Sequence, residues 1–196
     1  VDDGRITEIR PAGTGATGLT AVPGFIDVHT HGAMDHDIMD GDPAGYTEIA
    51  SHHVRYGTTA FVGSTLTAPL EQISGVLDVA REYTKANAEA AAAGREASLL
   101  GIHVEGPWLA PESAGAQNTA YMHAPEEPDF ELIRANRDLI RMATFSYHYQ
   151  SAPAFLDLLN ALGIIAACGH DRGTDDLIAQ AFDRGLRHIT HLFSAN

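Results

Sequence analysis

The chain has 196 residues, 44% of them hydrophobic, which is enough for one sizeable packed core. Twelve basic against 26 acidic residues leave a net charge of −14, which argues against a nucleic-acid or anionic-membrane partner. One cysteine, Cys168, excludes an internal disulfide; with no signal-type segment and no bilayer-length apolar run, a cytoplasmic location is expected.

In chain order, residues 1–22 are Gly-rich and strand-like, with Arg5-Ile-Thr-Glu-Ile and Leu19-Thr-Ala-Val on either side of a Gly/Thr/Ala turn. They read as part of a small, sandwich-like β element whose earlier residues are expected to be missing. From residue 23 to 196, apolar runs alternate with helical patterns. Strands are expected over 25–29, 58–64, 98–105, 141–146, 164–169 and 188–192, and helices near 43–56, 69–94, 127–139, 151–163 and 173–185. Pro43, Pro69 and Pro153 stand near helix starts, and Gly57, Gly163 and Gly185 just past helix ends, as capping chemistry requires. The Ala-rich stretch 86–93 is read as helix because alanine is the best helix former. This alternation predicts an α/β fold with a parallel sheet. With the candidate ligands at carboxyl ends of strands, it predicts a (β/α)8 barrel. Six strands and five helices fall short of eight of each, so the chain is expected to be a fragment lacking the last part of that barrel.

Five residues carry the chemistry. His29 and His31 are two apart, so on a strand both rings point to one face, as a shared metal requires. The plain alternative is a polar pair in a turn before Gly32. Glu105 precedes Gly106-Pro107, where a strand must end, and so stands at a barrel mouth. His170 and His191 each close an apolar run, with a helix between them; either alone reads as a structural histidine, but the pair reads as ligands. Imidazoles and a carboxylate converging from several strand ends describe a catalytic hydrolase metal centre with a divalent cation, zinc expected, as one ion or two. Lys85, the only lysine, sits in a helical pattern, so no carboxylated lysine is available to bridge two metals and Glu105 becomes the shared carboxylate.

Around this set the roles are softer. Asp27 shares the face of His29 and His31, with two roles open: orienting a ring, or serving as a buried capping carboxylate. His103, one layer below Glu105, reads as a hydrogen-bonded core histidine, Asp171 as a loop or cap residue, and Cys168 as a small buried hydrophobe. His123 and His148, in loops after strands, are weaker candidates for substrate contact, and Arg172 reads as a surface residue.

At Val22-Pro-Gly-Phe-Ile-Asp-Val-His-Thr-His-Gly, Gly57-Thr-Thr, Gly101-Ile-His-Val-Glu-Gly-Pro-Trp-Leu, Gly169-His170 and Thr190-His-Leu-Phe, the chain resembles the amidohydrolase superfamily. Within it, the Glu-Gly-Pro element and its spacing resemble the N-acetylglucosamine-6-phosphate deacetylase family. The resemblance implies that Glu105, His170 and His191 hold the principal metal and that His29 and His31 hold a second. It implies removal of acetate from the 2-acetamido group of an amino-sugar phosphate, a homodimer at full length, and a catalytic aspartate beyond Asn196. Two departures stand out. The family's Gly-Ala-His-Asn-Pro is here Gly115-Ala116-Gln117-Asn118-Thr119, which makes Gln117 the substrate-side residue. The family's Leu-(Tyr/Phe)-Asn-Ala-Met is here Leu192-Phe193-Ser194-Ala195-Asn196, which places Ser194 and Ala195 in the substrate loop. The alternatives are a related amidohydrolase acting on another amide or cyclic substrate, and a metal-binding barrel that has lost catalysis.

Overall fold

A computed structural model of the protein describes residues 6–9, 18 and 20–195. Most of the β element expected over 1–22 lies outside the described residues; 6–9 and 20–24 carry no helix or strand. The remainder folds as strand β1 (Phe25–Thr30), short strands β2 (Gly32–Ala33) and β3 (His36–Asp37), helix α1 (Pro43–Arg55), β4 (Thr58–Ser64) and α2 (Leu70–Ala92). Then come β5 (Ser98–Glu105), α3 (Glu127–Ala135), β6 (Ile140–Phe145), α4 (Ala152–Leu162), β7 (Ile165–Cys168), α5 (Asp175–Asp183) and β8 (His188–Ile189).

Six strands form one all-parallel sheet in the order β1-β4-β5-β6-β7-β8, the first five each followed in sequence by the helix that returns the chain to the next strand. Consecutive strands as neighbours, joined by helical crossovers, give the curled sheet of a partial (β/α)8 barrel. β2 and β3 form a separate antiparallel pair. Helix boundaries follow the expected chemistry: the Asp42 side chain accepts from the backbone N–H groups of Ala44 and Gly45 ahead of Pro43, and Gly163 ends α4 in the left-handed conformation at φ 71°. Several elements are shorter than their sequence patterns, and α3 and β8 show why. α3 stops at Ala135, where Asn136 leaves helical geometry and its amide donates to the Leu132 carbonyl. β8 stops at Ile189, because the chain turns at Thr190.

The core lies between sheet and helices. Phe61, Ile102, Val104, Ala143 and Phe145 pack outward from the strands against Ile49, Ile73, Leu77, Phe155 and Leu159 of the helices. Trp108, Phe145 and Phe155 form an aromatic knot, with ring centroids 4.5 Å apart for Trp108–Phe155 and 5.3 Å for Phe145–Phe155. Because side chains alternate along a strand, the opposite face of β5 carries His103 and Glu105, aimed into the concave side of the sheet. Register sets Ser64 beside His103 and Thr144 beside Glu105, so polar groups from β4, β5 and β6 meet at the carboxyl end.

Candidate metal centre

Glu105 closes β5 near the middle of the sheet and is 1% exposed. Its backbone N–H donates to Thr65 Oγ1 at 3.2 Å. Gly106 follows at φ 75°, where a Cβ would run into Thr67 Oγ1, so only glycine turns the chain away directly after the carboxylate. His29 lies near the end of β1 and His31 just past it. His170 and His191 each stand two residues beyond a strand end, at φ 49° and 31°. Side chains other than glycine seldom adopt that conformation, and strain of this kind collects where function demands a particular ring placement.

The four imidazoles divide between the two oxygens of the single carboxylate. His170 Nε2 and His191 Nε2 lie 3.2 and 3.1 Å from Glu105 Oε1 and 3.0 Å from each other. His29 Nε2 and His31 Nε2 lie 3.4 and 3.0 Å from Glu105 Oε2 and 3.2 Å from each other. Three of the rings are fixed from behind by backbone carbonyls: His170 Nδ1 by Ser113 at 2.8 Å, His191 Nδ1 by Ser194 at 2.8 Å, and His31 Nδ1 by Ser64 at 3.2 Å. A carbonyl only accepts, so Nδ1 carries the proton in each case and Nε2 is left with its lone pair toward the centre. That outer arrangement is the one metal-binding histidines use to fix tautomer and ring angle. The spacings fit as well. Bonds of about 2.0–2.1 Å to a tetrahedral zinc set neighbouring donor atoms roughly 3.3 Å apart, and the contacts around Glu105 run from 3.0 to 3.4 Å.

Electrostatics reinforce this. Burial works to raise the Glu105 carboxyl, but the His170, His29 and His31 rings outweigh it and hold the group well below the usual carboxylate range. Burial works against charge on His31 and His170, yet the facing carboxylate raises both above the ordinary imidazole value. His103 is the opposite case: buried between β4 and β6, it is pushed down to about 3 and stays neutral. Its Nδ1 meets Ser64 Oγ at 3.0 Å and its Nε2 meets Thr144 Oγ1 at 2.6 Å, the hydrogen-bonded core histidine that its position predicts.

Gln117 enters the site by a route that sequence reasoning did not foresee. Its amide N–H donates to Glu105 Oε2 at 3.0 Å, and its carbonyl accepts from the Thr67 backbone N–H at 2.7 Å. It therefore clamps the shared carboxylate. Ser194 touches the centre through its carbonyl on His191, and Ala195 borders Gly115 beside the His170 ring. Asp27 accepts from the His29 backbone N–H at 3.0 Å and faces the His53 ring at 3.6 Å, acting on the strand rather than on a ligand ring. Asp171 caps the Gly173 N–H at 2.7 Å and also binds Ser146, which contacts His148. His123 lies away from the five, beside Asp129 at 3.6 Å. The supports that sequence reasoning missed are the carbonyls of Ser64 and Ser113 and the hydroxyls of Thr65, Thr144 and Thr190.

The sequence model of the amidohydrolase family matches residues 20–196. The chain belongs to the amidohydrolase family. This is a metal-dependent family, and the two groups His29/His31/Glu105 and Glu105/His170/His191 can hold its metal, with all donor atoms of each group within 4.8 Å of one another. Among curated amidohydrolase relatives, an N-acetylglucosamine-6-phosphate deacetylase of Bacillus subtilis (strain 168) is 34% identical over 175 residues, covering 89% of this chain and 43% of the relative. An N-acetylgalactosamine-6-phosphate deacetylase of Escherichia coli O157:H7 is 26% identical over 198 residues, covering 99% of this chain and 51% of the relative. Among solved structures, N-acetylglucosamine-6-phosphate deacetylase from Pasteurella multocida superposes with a TM-score of 0.80 at 27% identity, over 88% of this chain and 44% of that one. A mutant N-acetyl-D-glucosamine-6-phosphate deacetylase from Mycobacterium smegmatis, in complex with N-acetyl-D-glucosamine-6-phosphate, gives 0.77 at 28% identity, over 93% and 48%. The chain spans about half the length of the curated relatives it matches.

Proposed function

We propose that this amidohydrolase removes acetate from the 2-acetamido group of N-acetylglucosamine 6-phosphate. Glu105, His170 and His191 would hold the principal ion, and His29 and His31 together with Glu105 a second. The observation that carries this reading is the division of one carboxylate between two histidine pairs, on a fold and sequence shared with deacetylases of that substrate. Zinc is the ion that nitrogen and carboxylate donors at this spacing suit best. Such an ion polarises an amide carbonyl and lowers the pKa of water toward neutrality.

The chain's own residues do the rest. Glu105 supplies the negative charge, and the Ser64, Ser113 and Ser194 carbonyls hold three rings by their Nδ1–H groups. Gln117 stops the carboxylate from rotating out of the plane that serves both pairs. An open cavity of about 550 Å³ meets the centre, lined by His29, His31, His188, Ile189, His191 and Leu192, and admits a small sugar. Burial holds the His188 ring below its usual pKa, so it presents a neutral edge to that space. We place the protein in the cytoplasm, where its single buried thiol, Cys168, stays reduced, and infer a homodimer at full length.

One observation favours a second reading. Where the family pattern has a histidine, Gln117 has both ends of its amide engaged within the protein. An amidohydrolase with a shifted amide substrate would look the same. Acetate release by the full-length protein decides between them: turnover of N-acetylglucosamine 6-phosphate that a chelator abolishes and zinc restores is expected. Stoichiometric metal with no acetate from either the glucosamine or the galactosamine 6-phosphate would sink the deacetylase reading.

A further inference from the structure

Beneath the two histidine pairs runs a second, entirely buried array. Ser64 of β4, His103 of β5, Thr144 of β6 and Thr190 just after β8 are all 0% exposed. Ser64 Oγ meets His103 Nδ1 at 3.0 Å, His103 Nε2 meets Thr144 Oγ1 at 2.6 Å, and Thr144 Oγ1 meets Thr190 Oγ1 at 2.6 Å. No member is a carboxylate or a fixed cation, so each contact passes one proton in one direction, and the imidazole is the only member with a separate polar atom for each neighbour. Buried and mutually satisfied, such an array fixes side-chain positions more tightly than its separate bonds do.

The array touches the support of every histidine in the centre. The carbonyl of Ser64 accepts from His31 Nδ1. The edge of the His103 ring lies 4.9 Å from the His29 ring centroid to centroid. Thr190 immediately precedes His191, and its N–H donates to the Cys168 carbonyl at 2.8 Å, which holds the turn. Gly169 precedes His170; a Cβ there would lie 2.8 Å from Thr190 Cβ and 3.2 Å from Thr144 Cγ2, so both threonines pack directly on the backbone that delivers that ring.

We propose that His103 is a positioning residue that holds the His29/His31 pair and the His170/His191 pair at matched height over Glu105, through Ser64 on one side and Thr144 and Thr190 on the other. This rests on the reading that those five residues bind metal. A ligand set drawn from four separate strands has no local device to keep its halves in register. A hydrogen-bonded bar from β4 through β5 and β6 to the residue after β8 provides one.

The test uses the full-length protein and four variants: H103L, H103Q, T144V and, as a reference for the metal reading itself, E105A. Zinc affinity by competition with a chromophoric chelator, the visible spectrum of the cobalt(II)-substituted protein and the melting transition are measured on each. H103L and T144V are expected to lose about 10- to 100-fold in metal affinity, the range for outer-shell partners, with a changed cobalt spectrum. H103Q, whose amide both donates and accepts, is expected to recover most of the affinity. A merely structural histidine would lower the melting temperature and leave the affinity and spectrum of the folded protein unchanged. That result in T144V, whose shape is conserved, overturns the proposal even where H103L fails to fold. Metal binding in E105A equal to the parent would instead overturn the ligand assignment, and this proposal with it.

Discussion

At the scale of single residues, the centre depends on one negative charge. Replacing Glu105 with alanine leaves four imidazole nitrogens within 3.0–3.2 Å of a neighbouring nitrogen and no anion between the pairs. Metal content after dialysis is expected to fall to background, a larger loss than the ~10- to 100-fold that removing an outer partner costs; retention by elemental analysis would refute the assignment. Gln117→Ala should show that smaller loss, together with destabilisation of about 1–3 kcal/mol from the unpaired, buried Thr67 N–H. Chemical denaturation of the apoprotein reads the second effect separately from the first. Metal retention should also follow pH. His31 and His170 have raised pKa values, and a metal binds only their neutral forms, so affinity is full above those raised values and lost as pH falls through them. Metal content after dialysis across a pH series should therefore fall on acidification, and a content independent of pH would contradict this.

The five candidate ligands, which the fold brings together, were legible as candidates because the side chain itself carries the signal: His or Glu at the end of an apolar run. Their supports were not. The partner of His170 Nδ1 is a carbonyl 57 residues away in a short turn, and any residue type presents a carbonyl. Gln117 reaches Glu105 from 12 residues downstream and the Thr67 backbone across 50, contacts that exist only once β4 and β5 are paired.

At the scale of elements, the alternation of strands and helices and the helix starts were readable, because proline and glycine act locally. The end of β8 was not. The pattern over 188–192 remains strand-like, but an extended chain would not bring the His191 ring over Glu105, and the backbone instead turns into left-handed geometry at His191 and again at Phe193. Tertiary demand overrode propensity there. α4 shows the reverse case, where packing and pattern agree: Phe155 is buried and sits against the rings of Trp108, Phe130 and Phe145. Phe155→Ala is expected to cost about 3–5 kcal/mol in unfolding free energy. A loss under about 1 kcal/mol would show that the aromatic knot re-forms without it.

At the scale of the whole molecule, the six-stranded sheet has, among the described residues, two outer edges, β1 and β8. Phe25, Ile26 and Val28 on the first, and Leu192 and Phe193 beyond the second, are exposed. Unpaired edges with apolar side chains are templates for association. The 196-residue chain expressed by itself should therefore associate with rising concentration, and Val28→Lys should weaken this in sedimentation experiments. Concentration-independent sedimentation of the parent chain would contradict it.

The divided carboxylate has a last consequence, in charge neutrality. One Glu105 oxygen faces each histidine pair, and the rings themselves bring no charge when they act as ligands. A first divalent ion would be half compensated; a second would leave the pair of ions with an excess of positive charge beside the buried carboxylate, which is costly until an anion joins them. Occupancy should thus rise in two separated steps, the second sharpened by small carboxylates such as acetate. The molecule's metal stoichiometry would then depend on which anions surround it.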